Sequence, residues 1–301
     1  MSARIAILAA LALAGCTPQR TPAPAAPAPT GKALATACEG RDGWSDAAPP
    51  AKIFGNTYYV GTCGITALLI ATPDGLVLID GATAEAAPGI LAIIRALGFD
   101  PKNVRTLLAS HEHLDHVGGL KALQDATGAA VLARHEAVAT LTSGEPEAID
   151  PQRGAIPPFA GVKVSRELKD GERLPIGDIG LTIHATPGHT PGSTSWTWRA
   201  CEAGDCRTIA YVDSLSAVSA DDYRFSDHPD YVAMLRATFA KVPTLPCDLL
   251  ITPHPSASNL FDRLAGEAPL VDASACKTYA EGAAKRLDDR LAKEAAGSAP
   301  K

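Results

Sequence analysis

Three histidines and an aspartate fall within six residues of the stretch Ser110-His111-Glu112-His113-Leu114-Asp115-His116-Val117-Gly118-Gly119. Imidazole and carboxylate are the donors that a borderline divalent ion such as Zn²⁺ takes. One histidine at this place would read as a polar turn. Three with an aspartate read as part of a metal centre. Two further histidines stand in loops stiffened by proline and glycine. His189 lies in Thr186-Pro187-Gly188-His189-Thr190-Pro191-Gly192-Ser193, and His254 in Ile251-Thr252-Pro253-His254-Pro255. Five histidines and Asp115 make two sets of three donors. Catalytic zinc commonly takes three protein ligands and leaves a place for water.

The remaining histidines read as structural or surface residues. His135 starts a helix, His184 alternates with apolar residues on a strand, and His228 precedes Pro229 at a helix start. His111-Glu112 also opens like the helical metalloprotease motif His-Glu-x-x-His. Position 115 is Asp and the stretch follows a strand, so that reading fails. Glu112 should point away from its two histidine neighbours, to lie behind the ligands or at the surface.

Each donor group follows an apolar run that reads as a strand. Val104 to Ala109 precedes the histidine cluster, Leu181 to Thr186 precedes His189, and Leu249 to Thr252 precedes His254. Loops at strand ends are where a rigid scaffold holds a site. Before them, Ile53 to Val60 reads as a hairpin through Gly55-Asn56, and Ile65 to Ala71 and Leu76 to Asp80 as further strands. Helices are expected with Ile90, Ile94 and Leu97 on one face, over Leu120 to Thr127, from His135 to about Leu141, over Pro229 to about Lys241, and from about Cys276 to Leu291. A second strand-rich block begins at Lys163 and includes Glu172 to Leu174, Thr194 to Arg199 and Thr208 to Val212. Two sheets face to face with helices outside would satisfy this order. Residues 142–161 are rich in Pro and Gly without a period, and a loop of that length is often functional.

The 301 residues are 46% hydrophobic, enough for one sizeable core or at most two domains. The net charge is −6 and no run of Lys or Arg forms a patch, which argues against nucleic-acid binding. Arg4 and the apolar run Ile5 to Ala14 read as a signal peptide, residues 1–16. Leu13-Ala14-Gly15-Cys16 resembles the bacterial lipobox, which implies a lipidated Cys16 and membrane anchoring. Residues 17–37, rich in Pro and Ala, read as an extended tether. One domain is expected over 38–295, with a disordered tail at 296–301. Apart from Cys16 there are six cysteines, an even number suited to an oxidising compartment. Cys201 and Cys206 flank a hairpin turn and should pair. Cys38 with Cys63 and Cys247 with Cys276 are the local options for the rest, and spacing alone does not decide between them.

His111-x-His113-x-Asp115-His116, with Gly188-His189 and His254, resembles the metallo-β-lactamase superfamily. The closer likeness is to subclass B3, carried also by Gly192-Ser193-Thr194-Ser195-Trp196, Asp213-Ser214-Leu215-Ser216-Ala217 and Thr252-Pro253-His254-Pro255-Ser256-Ala257-Ser258-Asn259. The six-cysteine pattern is similar to that of some exported members. The resemblance implies an α/β fold: an αββα four-layer sandwich of two facing mixed sheets with helices on the outer faces. It implies two zinc ions, one on His111, His113 and His189 and the other on Asp115, His116 and His254. Asp115 would be the catalytic carboxylate. Ser214, where other subclasses carry a cysteine ligand nearby, and Ser216 would hold the substrate carboxylate. The implied activity is hydrolysis of the β-lactam ring of penicillins, cephalosporins and carbapenems by a zinc-bound hydroxide, conferring antibiotic resistance. The implied setting is a monomer in the periplasm, lipid-anchored to the outer membrane. The alternative is a same-fold hydrolase of a lactone or thioester, glyoxalase II-like or a lactonase, in which an aspartate bridges both metals in a pattern like Asp213-Ser214-Leu215. A non-catalytic zinc-holding lipoprotein is disfavoured, because structural zinc sites are closed. The loop from Ser143 to Phe159 matches no common pattern of the family; Gln152 is its candidate substrate contact.

Overall fold

Apolar residues at alternate positions bring the strands into two sheets. The computed structural model describes residues 29–297. β1 (Ala51–Phe54) and β2 (Thr57–Tyr59) form the hairpin around Gly55-Asn56, and β3 (Leu68–Thr72) and β4 (Gly75–Ile79) continue it antiparallel. β5 (Val104–Leu108), β6 (Ala130–Arg134) and β7 (Val164–Leu168) then add in parallel, giving a seven-stranded sheet in sequence order. The second sheet holds β8 (Arg173–Ile176), β9 (Ile179–Ala185), β10 (Thr194–Glu202), β11 (Asp205–Tyr211) and β12 (Leu249–Ile251), in the order β12-β11-β10-β9-β8. The expectation that the strand from Lys163 belongs with the second block is corrected. β7 pairs with β6 because Val131 and Ala133 offer a parallel edge to it.

Both sheets are mixed, and their facing residues form one core. Leu68, Ile70, Val77 and Ile79 of the first sheet meet Ile183, Trp196, Trp198, Ile209 and Tyr211 of the second. The alternate residues face outward. Leu69, Leu78 and Leu107 pack under Ile90 and Ile94 of a helix at Ala87–Ala96, and under Leu120 and Leu123 of one at Leu120–Thr127. On the other side Ala210, Val212 and Leu250 pack under Leu235 and Phe239 of Pro229–Lys241 and under Ala283 and Leu287 of Ala275–Ala295. The order of layers is helix, sheet, sheet, helix, as expected. In chain order the helices are α1 (Gly31–Cys38), α2 (Ala87–Ala96), α3 (Leu114–Val117), α4 (Leu120–Thr127), α5 (His135–Ser143), α6 (Pro229–Lys241), α7 (Leu260–Ala265) and α8 (Ala275–Ala295).

α1 corrects the reading of residues 17–37 as a tether. The prolines end at Pro29. Thr30 accepts the Ala33 N–H as an N-cap, and the Ala-rich run after it is a good helix former. Leu34 is buried in the inter-sheet core. A Cβ on Gly31 would lie 2.1 Å from the Leu264 carbonyl oxygen, so the glycine lets α1 sit directly on α7. The signal-peptide and Cys16 readings, residues 17–28 and the tail at 298–301 lie outside the described residues. Among the described residues no helix is long and apolar enough to cross a membrane.

All six remaining cysteines are paired, as Cys38–Cys63, Cys201–Cys206 and Cys247–Cys276. Cys201 and Cys206 are already opposite each other in the β10–β11 register.

The topology brings the functional loops to one edge. β4 and β5 are parallel; β9 and β11 are both antiparallel to β10; β12 is parallel to β11. Their C-terminal ends therefore emerge together, followed by Asp80, His111, His189, Asp213 and His254. Hydrogen bonds across the two sheets lock this edge, from Thr194 N–H to the Ser110 carbonyl (2.7 Å) and from Thr66 N–H to the Pro253 carbonyl (2.7 Å).

Candidate metal centre

The first donor loop changes conformation in the middle. His111 and His113 lie two apart ahead of α3, so their side chains share a face. His113 then becomes the N-cap of α3, whose first turn carries Asp115 and His116. Hydrogen bonds from the His116 and Val117 N–H groups to the His113 carbonyl (both 3.0 Å) close that turn. All four side chains are buried.

His111, His113 and His189 bring donor atoms within 4.8 Å of one another. In the second set, Asp115 Oδ2 is 3.1 Å from His116 Nε2 and 3.4 Å from His254 Nε2, and those two nitrogens are 3.4 Å apart. His111 also groups with Asp115 and His116, its ring centroid 4.1 Å from that of His116. The two sets thus share a wall, and the structure brings together all six residues singled out in the sequence.

The outer nitrogens of three of the rings are held from behind, which decides the one that faces inward. His111 Nδ1 donates to Asp213 Oδ1 (2.8 Å), His113 Nε2 to Asp150 Oδ2 (3.0 Å) and His189 Nδ1 to the Ser216 carbonyl (3.0 Å). His116 Nδ1 lies 3.4 Å from Asp80 Oδ2. Inward therefore point Nε2 of His111, His116, His189 and His254, and Nδ1 of His113. His111 Nε2 is buried with no hydrogen-bond partner, a state that polar atoms in folded proteins rarely keep. A cation accepting its lone pair resolves that.

Charge supports the same fit. Burial, then the neighbouring imidazoles, push His111 well below the usual histidine range and His189 down to about 3. His254 is pushed to about 4 by burial and His116. These rings are neutral and free to coordinate. His116 behaves oppositely: burial disfavours its charge, but Asp115 and Asp80 outweigh that and hold the proton on, so a metal taking this nitrogen releases it. Asp80, Asp115 and Asp150 are buried, and among the described residues none is ion-paired with Lys or Arg. Buried carboxylates need compensation. The donor set fits a divalent metal of the zinc type.

Residues 60–202 match the family model described as the metallo-beta-lactamase superfamily. The chain is 56% identical to the crystal structure of the metallo-beta-lactamase MIM-1 from Novosphingobium pentaromativorans, covering 89% of this chain and 100% of that one, at a TM-score of 0.87. The chain belongs to the metallo-beta-lactamase superfamily. MEM-A1, a subclass B3 metallo-beta-lactamase from a soil metagenome library, is 44% identical over 85% of this chain and 100% of its own, at a TM-score of 0.82. BJP-1, a subclass B3 metallo-beta-lactamase of Bradyrhizobium japonicum, is 32% identical over 84% and 97%, at 0.77. A curated relative, the hydroxyacylglutathione hydrolase of Rhodopseudomonas palustris, is 25% identical over 170 residues, 56% of this chain and 55% of that protein. The chain spans between half and two thirds of the length of the curated relatives it matches first.

In this member of the superfamily, Asp80 and Asp150 stand behind the donors and are residues that the sequence reading passed over. Asp80 follows β4 in a left-handed conformation, φ +65°, uncommon for a residue with a side chain. It is held there by the Ser110 N–H and hydroxyl and by the Tyr211 hydroxyl, at 2.6, 2.7 and 2.6 Å. Asp150 and Gln152 bring the Pro-rich loop to the centre: Asp150 Oδ1 accepts the Gln152 N–H, and Gln152 Nε2 lies 3.5 Å from His189 Nε2. A surface place for Glu112 is excluded, since its carboxylate is buried and accepts the Gly192 N–H and the Thr190 hydroxyl. Burial pushes Glu112 up to about 7 against those two bonds. Ser214 is buried beside Asp213, whereas the Ser216 hydroxyl lies 3.0 Å from His189 Nδ1. His135 pairs with Glu167, His184 bonds Thr197 and His228 stacks on Tyr223, all outside the cluster.

Proposed function

We propose that this protein hydrolyses β-lactams with two zinc ions, in the manner of the subclass B3 enzymes it resembles. His111, His113 and His189 would hold one ion, and Asp115, His116 and His254 the other. The observation that carries the reading is the position of Asp213. Its Oδ1 accepts from the outward nitrogen of His111, behind the ring, and it is Asp115 that lies between two inward-facing imidazole nitrogens. A lactone or thioester hydrolase of this fold would have an aspartate at that place reaching both metals.

Bound at these residues, zinc would polarise the lactam carbonyl and lower the pKa of a water toward neutrality. The chain's own groups do the rest. Asp115 would orient the attacking water. Ser214 binds the substrate carboxylate, while Ser216, with its hydroxyl at His189 Nδ1, shares in holding that ring. Gln152 faces the first donor set from the Pro-rich loop. A cleft of about 310 Å³, lined by Arg41, Trp44, Gly64 and Ser256, opens beside His254 and borders none of the other five donors. A periplasmic site of action, with anchoring through Cys16, belongs to the same proposal. It is supported by three disulfides, which an oxidising compartment maintains.

The curated relatives named hydroxyacylglutathione hydrolase favour a second reading, hydrolysis of a thioester or lactone. One panel separates the two: a chromogenic cephalosporin, an acyl lactone and a glutathione thioester, turned over by one preparation of measured zinc content, with and without chelator. Chelator-sensitive opening of the cephalosporin is expected. Turnover of the lactone or thioester alone overturns the proposal.

A further inference from the structure

Glu112 stands in the middle of the first donor loop but is not one of the donors. Extended backbone alternates its side chains, so Glu112 leaves on the face opposite His111 and His113. It reaches the second donor loop there. Oε1 accepts the Gly192 N–H at 2.7 Å, and Oε2 accepts the Thr190 hydroxyl at 2.8 Å. Thr190 follows His189 directly. Its N–H is bonded in turn to the Ser193 hydroxyl at 3.0 Å, and its own hydroxyl lies 3.0 Å from the same oxygen. One carboxylate therefore ties together the loops that carry His111, His113 and His189. No bond from Glu112 runs to Asp115, His116 or His254.

The fit is close. A Cβ on Gly192 would lie 2.6 Å from Glu112 Oε2 and 2.5 Å from the Ala137 Cβ, so residue 192 has room for no side chain. The Ser193 carbonyl beyond it is held by Arg134 Nη1 at 2.8 Å. The Thr190–Ser193 turn is thus gripped at both ends, and the glutamate supplies the end nearer His189.

We propose that Glu112 is a positioning residue for the three-imidazole set, fixing His189 against His111 and His113 and so setting how tightly that set alone holds its metal. The inference rests on the zinc reading above and adds a residue to it. Groups that orient ligands from behind commonly change metal affinity by about 10–100-fold when removed.

The test is a zinc titration against a chromophoric chelator, using the full chain with its disulfides formed. His189→Ala and His254→Ala each remove one donor from one set and so assign the two binding steps. Glu112→Ala is expected to weaken the step lost in His189→Ala by about 10–100-fold and to leave the other within about threefold. Glu112→Gln keeps both contacts: its oxygen accepts the Gly192 N–H, and its amide donates to Thr190, whose hydroxyl then turns to Ser193. It is expected to bind within about threefold of the wild type. Thr190→Val removes one contact without touching the carboxylate and should fall between the two. Equal weakening of both steps, no weakening of either, or a Gln variant as weak as the Ala variant overturns the proposal and leaves the zinc reading standing. A wild-type protein that takes up no zinc overturns the zinc reading itself, and this inference with it.

Discussion

Asp150 Oδ2 lies 3.0 Å from Nε2 of His113, and both side chains are buried. The contact reverses the usual face of one ring. His111 and His189 are held at Nδ1, and His113 is held at Nε2, so His113 alone presents Nδ1 to the centre. It also gives the loop between α5 and β7 a place in the site. Asp150 Oδ1 accepts the Gln152 N–H at 2.8 Å, and the Ala220 N–H donates to the Pro151 carbonyl at 2.8 Å. The segment after Ser216 and the Pro-rich loop are thereby joined across the centre.

Replacing Asp150 with alanine frees the His113 ring to turn and to take the wrong tautomer. A loss of about 10–100-fold in zinc affinity is expected. Because Gln152 loses its backbone anchor as well, KM for the β-lactam should rise alongside. Asp150→Asn keeps an acceptor oxygen and should retain more of both. Zinc competition together with steady-state kinetics on the two variants checks this; an alanine variant with unchanged zinc affinity contradicts it.

The six donors were legible because they crowd into three short loops, each after a recognisable strand. Their supports were not. Asp213 is 102 residues from His111, Asp150 37 residues from His113, and Asp80 30 residues from Ser110; Asp213 stood out only as the bridging aspartate of the alternative reading, and the other two are single acids in unremarkable contexts. The parallel pairing of β4 with β5 brings Asp80 to the donors, the facing of the two sheets brings Asp213 from the end of β11, and the loop between α5 and β7 brings Asp150. Glu112 could be aimed away from its neighbours by alternation, but what it would meet depended on the Thr190–Ser193 turn. α1 was hidden for a different reason. Its sequence follows a Pro/Ala-rich stretch, and composition averaged over the whole stretch conceals the Thr30 cap that divides them.

The disulfides should rank by the loop each one closes. Cys247–Cys276 spans 29 residues and ties the approach to β12 to the start of α8. In the chain-entropy account its removal by a double serine substitution costs about 3–4 kcal/mol. Cys201–Cys206 spans five residues and joins positions already opposed in the sheet, and its removal costs about 2 kcal/mol or less. Urea unfolding of the two double variants measures the order. A larger loss from the Cys201–Cys206 pair contradicts it.

Glu294, near the end of α8, anchors the segment that precedes α6. Its carboxylate accepts the N–H groups of Phe225 (3.2 Å) and Ser226 (2.8 Å) and pairs with Arg290 (2.5 Å). Burial alone would raise its pKa, but these bonds outweigh it and hold the group below the ordinary glutamate value of about 4.5. With a depressed folded-state pKa, the stabilisation is complete above about pH 4.5 and is lost as pH falls through the depressed value. Glu294→Gln should therefore cost about 1–3 kcal/mol at neutral pH, and less toward acid. Denaturation from about pH 3 to 8 gives the test, and a deficit that grows toward acid contradicts the sign.

Asp115 offers the sharpest test of the centre. It is the only carboxylate among the six donors, and its Oδ2 lies 3.1 Å from His116 Nε2 and 3.4 Å from His254 Nε2. Burial alone would raise its pKa, but those imidazoles outweigh it and hold the group well below the usual carboxylate range. Asn has nearly the same shape but no charge and one acceptor oxygen fewer, so Asp115→Asn separates charge from packing. Bound zinc is expected to fall from two ions to one, with kcat/KM on a chromogenic cephalosporin down by at least about 100-fold. Added zinc should restore the second ion at high concentration without restoring the rate, because the carboxylate that orients the water is still missing. A variant that regains full rate once the second ion returns would show that Asp115 holds metal and does nothing further.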